Sequence, residues 1–174
     1  RRTSRGLGDV YKRQILTILD DMMETMYHAN GIGLAATQIA IDKRLIVMDC
    51  GKTKYETQNI SEEEYDEKIK DEQFEPFPIK MINPEIISLG KNLEEREEGC
   101  LSIPGYNAKI KRPSSLKVKY TDENKKDNII DAEGLLATCI QHEIDHLNGI
   151  LFIDHLSKLK REIILKKAIK EYSK

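Results

Sequence analysis

No stretch of this sequence approaches the roughly 20 consecutive apolar residues needed to cross a bilayer, and no apolar run follows the N-terminal arginines as a secretory signal requires. A cytoplasmic protein without a membrane segment is expected. Cysteine is scarce: Cys50, Cys100 and Cys139 form an odd, widely spaced set that does not suggest a disulfide framework, and at least one reads better as a thiolate ligand or a buried thiol. A dominant charge is lacking too. Against 28 lysines and arginines stand 30 aspartates and glutamates, a formal net charge of −2 that points to no particular partner. Internal repeats are absent. What remains, 174 residues of which 39% are hydrophobic and 33% charged, is enough for one domain with a single core around a shaped cavity.

Residues 1–14 carry Arg1, Arg2, Arg5, Lys12 and Arg13 with little apolar content and read as a leader outside a domain spanning 15–174. Three readings stay open for the leader: a non-native remnant, a disordered arm, or the remainder of an organellar targeting segment. From Ile15, the positions Ile18, Leu19, Met22, Met23 and Met26 recur at helical spacing and predict an amphipathic helix ending before Asn30-Gly31. Leu45 to Cys50 reads as a buried strand with a structural cysteine at its end. Residues 51–75 are polar and acidic and predict a surface excursion. Pro76, Pro78 and Pro84 divide short apolar pieces around 79–82 and 86–87, and Leu116 to Tyr120 alternates as a strand does. Helices are predicted over 135–148, stopped by Gly149, and over 158–172. This order implies an α+β domain in which antiparallel or mixed sheets wrap a central helix, with a further helix at the C-terminus.

The strongest chemical signal is Gln141-His142-Glu143-Ile144-Asp145-His146. Two histidines four apart project from one helix face a turn apart and can grip a single ion. The glutamate between them can act on a bound water without being a ligand. Alone, the same pattern also arises on solvated helices. A third ligand must come from elsewhere, and Cys100 is the candidate, because Gly99 and Gly105 let the backbone around it come close to other groups and a thiolate suits zinc or ferrous iron. Without the histidines it would read as a small buried hydrophobe. A third segment, Gly31-Ile32-Gly33-Leu34-Ala35-Ala36-Thr37-Gln38, has the small side chains expected where a substrate backbone approaches, followed by an amide that could polarise a carbonyl. Its two glycines match no phosphate-binding fingerprint, and tight packing is the plainer alternative.

Together and in this order, the three segments resemble peptide deformylase, the family that removes the formyl group from the N-terminal methionine of new bacterial proteins. The family pattern has a Gly-x-Gly-x-Ala-Ala-x-Gln segment, a Glu-Gly-Cys-x-Ser segment and a His-Glu-x-x-Asp-His helix. Gly31, Gly33, Ala35, Ala36, Gln38, Glu98, Gly99, Cys100, Ser102, His142, Glu143, Asp145 and His146 meet every fixed position. The likeness runs from about Ile15 to the C-terminus. The departure is at the front, where Gly8-Asp9-Val10 only faintly echoes the family's Gly-Asp-Pro-x-Leu-Arg stretch and leaves the first strand open.

The resemblance implies one divalent ion per chain on Cys100, His142 and His146, natively Fe2+, with Zn2+, Ni2+ or Co2+ also accepted. It implies Glu143 as proton carrier and the Gln38 amide and Leu101 backbone N–H as donors to the formyl oxygen. Glu98 is expected to orient a ligand histidine, the alternative being a solvated member of an acidic run. Leu135, Thr138 and Cys139 share the His142 face of the helix; with Ile32, Gly33 and Gly99 they are expected to receive the methionine side chain, core packing being the alternative. The expected substrates are N-formylmethionyl nascent peptides, handled by a monomer. In related enzymes the last helix docks on the ribosome, and Lys158, Lys160, Arg161, Lys166, Lys167 and Lys170 would suit RNA phosphates, although such a stripe is also a common solvated face. A zinc endopeptidase would take its third ligand downstream of the helix, and an inactive relative would have changed Glu143 or Gln38.

Overall fold

The computed structural model describes residues 5–51 and 75–172; most of the acidic excursion expected between strands lies outside the described residues. The chain opens with helix α1 (Arg5–His28), which passes through Asn30 in the left-handed conformation into strand β1 (Gly33–Ala35). A 3-10 turn (Ala36–Ile39) leads to β2 (Leu45–Asp49), followed by β3 (Pro78–Leu89), β4 (Leu93–Cys100), β5 (Ile103–Pro113), β6 (Ser115–Thr121) and β7 (Asp127–Glu133). Helix α2 (Gly134–Leu147), a 3-10 turn (Phe152–His155) and helix α3 (Lys158–Tyr172) complete the order. Five strands form one sheet in the order β1-β2-β3-β6-β7, while β4 and β5 form a separate hairpin. Every described pairing is antiparallel, which settles the sheet type left open by the sequence.

Strand β2 shows why the site sits where it does. All five of its residues are buried because helices cover both of its faces. Ile46 and Met48 point to one side, into a cluster with Ala137, Cys139, Ile140 and Ile144 of α2. Leu45 and Val47 point to the other, among Leu19, Met22, Met23 and Met26 of α1. Strand alternation thus divides one apolar run between two cores and presses α2 against the sheet. A third cluster joins Ile103 and Ile110 of β5 to Phe152, Ile153 and Ala168, tying the hairpin and α3 to the 3-10 turn that follows α2.

The structure differs from expectation in four places. Helix α1 begins at Arg5, so its backbone continues through residues placed outside the domain, and no strand precedes it among the described residues. Pro84 does not divide two strands: β3 runs through it, with a register shift between Ile82 and Glu85 and Asn83 at φ 52°, where a bulge spares the ladder the missing N–H. Strand β4, in which a sequence reading finds no strand, is inward-facing at Glu94, Arg96, Glu98 and Cys100, so its alternation is in burial and not in hydropathy. Its partner pairs Glu95 with Lys111 and Glu97 with Lys109 across the outer face. Strand β7 also went unseen, for it is an edge strand in which only Ala132 is fully buried.

Candidate active site

Helix α2 brings His142 and His146 to one face with their Nε2 atoms 3.1 Å apart and their rings nearly perpendicular. Cys100, at the end of β4, reaches the same point from the hairpin, its Sγ 3.1 Å from His146 Nε2. The three donor atoms all lie within 4.8 Å of one another. Two nitrogens bound to one tetrahedral ion through bonds of roughly 2.0–2.1 Å stand about 3.3 Å apart, so the observed spacing needs little adjustment to accept one. The donor set fits too. Burial pushes the Cys100 thiol up, but hydrogen bonds with His142 and His146 outweigh it and bring the group down to about 5, a thiolate at neutral pH. Burial likewise disfavours a charged His142, yet its bonds to Cys100 and Glu98 carry it up to about 10. A thiolate beside a held imidazolium proton is the charge state a divalent cation converts into a ligand set by displacing that proton.

Each group is held from behind. Glu98 Oε2 lies 2.9 Å from His142 Nδ1, which directs Nε2 toward the sulfur. Burial works against the ionised Glu98 carboxylate, but hydrogen bonds from His142 and Arg112 hold it below the usual range. Arg112 donates from Nε (2.6 Å) and Nη2 (3.0 Å) to the two Glu98 oxygens and from Nη1 (2.8 Å) to Asp145 Oδ2. Phe152 stacks on the His142 ring at 6.4 Å. The Ser102 N–H points to Cys100 Sγ at 3.3 Å, and the Thr37 hydroxyl donates to the His146 carbonyl at 3.0 Å. Gln38 is oriented at both ends: its Oε1 accepts the Ala35 N–H at 2.8 Å, so its Nε2 faces Ser102 Oγ at 3.0 Å and Cys100 Sγ at 3.5 Å.

Glu143 is the exception. It is 4% exposed, and its Oε2 has no hydrogen-bond partner among the described residues. Burial raises it to about 8; the His142 charge opposes that rise, and Cys100 and Glu98 reinforce it. Gly33 is what allows the carboxylate to lie there, because a Cβ at this position would overlap Glu143 Oε1 and come within 2.8 Å of Cys139 Sγ.

Beside these groups opens a cleft of about 380 Å³, lined by Cys100, His142, Glu143, Gln38 and Leu101 and by all six residues expected to receive a side chain: Ile32, Gly33, Gly99, Leu135, Thr138 and Cys139. The Thr138 hydroxyl turns back to the Gly134 carbonyl at 3.2 Å, so the wall is less polar than its composition suggests. Leu101 stands at the rim against Gly31. Sequence reasoning missed the far rim, Pro104, Gly105, Tyr106 and Asn107 from β5, where the signal was a glycine, at φ 79°, followed by an aromatic in a charged hairpin. It also missed Arg112, which no spacing rule ties to α2, and gave Asp145 a motif position without a task.

The chain is similar to known proteins over most of its length. The family model of polypeptide deformylase matches residues 1–162. A peptide deformylase of Agrobacterium fabrum is 47% identical over 157 residues, 90% of this chain and 81% of the relative. One of Bradyrhizobium diazoefficiens is 51% identical over 156 residues, 88% and 80% of the two chains. The crystal structure of peptide deformylase from Ehrlichia chaffeensis superposes with a TM-score of 0.75 at 39% identity, covering 90% of this chain and 82% of that one. A second structure of that enzyme, in complex with actinonin, gives 0.72 at 41% identity over 89% and 81%.

Proposed function

The chain belongs to the polypeptide deformylase family, a metal-dependent hydrolase that removes the formyl group from N-terminal formyl-methionine, and we propose that Cys100, His142 and His146 hold its ion while Glu143 carries the proton. One observation carries the proposal: a thiolate and two imidazoles converge within 4.8 Å beside a cleft into which is set a buried carboxylate, one oxygen of which has no partner among the described residues. A bound divalent ion supplies acidity to a water molecule and polarises the formyl oxygen.

The protein's own groups do the rest. Glu143 accepts the proton of the attacking water and delivers it to the departing amine, and a carboxyl poised near neutral pH suits both transfers. The Gln38 amide and the Leu101 backbone N–H donate to the charge that grows on the formyl oxygen; losing one such donor costs on the order of 2.7–4 kcal/mol in the barrier. Formate and a free N-terminus leave. Ile32, Gly33, Gly99, Leu135, Thr138 and Cys139 enclose the methionine side chain. Strand β1 is the edge of its sheet, so the peptide backbone can run along Gly31–Gly33 as an added strand.

Residues 15–174 act as one catalytic domain carrying one ion, natively ferrous iron, whose softness suits the thiolate; zinc, nickel or cobalt satisfy the same donors. The substrates place the enzyme in the cytoplasm, working on nascent chains as a monomer. The lysines of α3, together with Leu159 and Ile169, which are 68% and 64% exposed, form the surface through which it would meet the ribosome.

The test is anaerobic preparation, measurement of bound metal and formate release from a formyl-Met peptide by wild type, Cys100→Ser and Glu143→Ala. Both variants are expected to lose nearly all turnover, with metal retained in Glu143→Ala. An active Glu143→Ala protein would remove the proposed proton carrier, and full metal occupancy in an active Cys100→Ser protein would remove the sulfur ligand.

A further inference from the structure

Outside the site, the 3-10 turn Phe152–His155 touches the same histidine by two routes. Phe152, 1% exposed, stacks directly on the His142 ring. His155, at the other end of the turn, lies with Nε2 2.7 Å from Asp145 Oδ2. That oxygen also accepts Arg112 Nη1 at 2.8 Å, and Arg112 in turn grips both oxygens of Glu98, whose Oε2 meets His142 Nδ1. A continuous line of hydrogen bonds therefore runs from an exposed imidazole at the surface to the ring of a ligand: His155, Asp145, Arg112, Glu98, His142.

We propose that His155 is a positioning residue for the metal centre, holding Asp145 on Arg112 so that Arg112 stays closed on Glu98 and Glu98 on His142. The proposal rests on the reading of Cys100, His142 and His146 as ligands. The line is as strong as its outermost link. Side-chain exposure is 4% at Glu98 and 7% at Arg112 but 18% at Asp145 and 36% at His155, so Asp145 is the first member that water can reach and draw outward. Without His155, solvation competes for Asp145, Arg112 Nη1 loses a charged acceptor in the interior, and the guanidinium follows it away from Glu98. The turn itself is anchored independently: Asp154 accepts the Leu151 N–H at 2.8 Å and Arg161 Nε at 2.6 Å, and Ile153 is fully buried. The His155 ring thus stands on a fixed support. The groups facing it are Asp145 from α2, Arg112 from β5 through that carboxylate, and its neighbour Asp154 with Arg161 from α3.

Losing a direct hydrogen-bond partner of a ligand lowers metal affinity about 10- to 100-fold, and three links further out the loss should be about 3- to 10-fold. The experiment compares Co2+ complexes of wild type, His155→Ala and His155→Gln at one pH, reading the dissociation constant by chelator competition and the cobalt absorption bands. Glutamine places an amide N–H where the imidazole Nε2–H lies and should restore affinity to within about twofold. His155→Ala should bind Co2+ about 3- to 10-fold more weakly, with altered bands, and a role confined to stability would move neither reading. Wild-type affinity and spectrum in His155→Ala overturn the proposal, as does a glutamine variant as weak as the alanine one. If Cys100→Ser binds Co2+ as tightly as wild type, the ligand assignment fails instead, and the two failures are told apart.

Discussion

Replacing Glu143 with glutamine should slow the enzyme and stabilise the metal-free fold at the same time. The side chain is 4% exposed with one carboxyl oxygen bare, and burial raises the group from 4.5 to about 8. A carboxyl whose folded pKa is raised binds its proton more tightly in the folded protein, so stability is greatest below the unfolded pKa, falls as pH rises from 4.5, and levels off above about 8. At about 1.4 kcal/mol per pKa unit, the metal-free fold has given up about 3 kcal/mol by pH 7. Glutamine has nearly the same volume and no titration, so it should recover that amount. For a chain of this size, at about 2–4 °C per kcal/mol, the gain is roughly 6–12 °C in Tm. Urea or thermal unfolding of chelator-treated, reduced protein between pH 4.5 and 8 measures it, and the two proteins should converge at the acid end. Metal-loaded Glu143→Gln should lose about 10²–10⁴ in kcat, the usual worth of a positioned proton carrier, with its ion retained. A variant less stable than wild type at pH 7 would mean that the carboxylate is satisfied in the fold, and the argument from its bare oxygen would be lost.

Two more outcomes follow from single contacts. In Gly33→Ala the new methyl meets the Glu143 carboxylate and the Cys139 sulfur, so about 1–3 kcal/mol of stability should be lost in urea unfolding, and kcat should fall more than KM rises because the displaced group is the proton carrier. Tyr27 is raised to about 12 by burial and by its 2.5 Å hydrogen bond to Asp49, so its contribution is present below pH 10 and lost as pH rises through 12; Tyr27→Phe should lack that alkaline loss in a stability–pH profile while keeping wild-type formate release.

How much of this was legible in the sequence depended on whether burial and hydropathy ran together. They do in β2, where two helices bury every position and the first four are apolar, and in α1, whose Met22 and Met26 are fully buried; both elements could be read directly. The two histidines proposed as ligands were legible as a pair for a different reason, since one helical turn fixes the distance between His142 and His146 whatever the fold does. Where an inward position carries charge, the signal reverses. Arg112 is as buried as a core residue, yet in sequence it looks like a member of a solvated, highly charged stretch; Glu98, equally buried in a similar stretch, was marked for a ligand histidine only through the family pattern, and the hairpin that carries them was invisible. Their function and their illegibility have one cause: a charged pair can occupy the interior only where each charge is answered, and the partners, Asp145 and His142, lie 33 and 44 residues away along the chain.

The same reasoning explains how hydrogen bonds are distributed across the site. Cys100, His142 and Gln38 are each fixed by at least two contacts, as the proposed roles of ligand and donor require, since such a group must meet the reacting atoms without first being moved into place. Glu143, in the proton-carrying role proposed for it, must take up a proton on one side of the reaction and release it on the other. A strong donor on its carboxylate would lower its pKa and leave it too weak a base to take the water's proton; a strong acceptor would raise its pKa and leave it protonated and too weak an acid to give that proton up. Leaving Oε2 bare in a buried niche that only the missing side chain of Gly33 makes possible avoids both. The fold bears that cost as lost stability in the metal-free protein, and the cation, by compensating the negative charges of Glu143, Cys100 and Glu98, is what would return it.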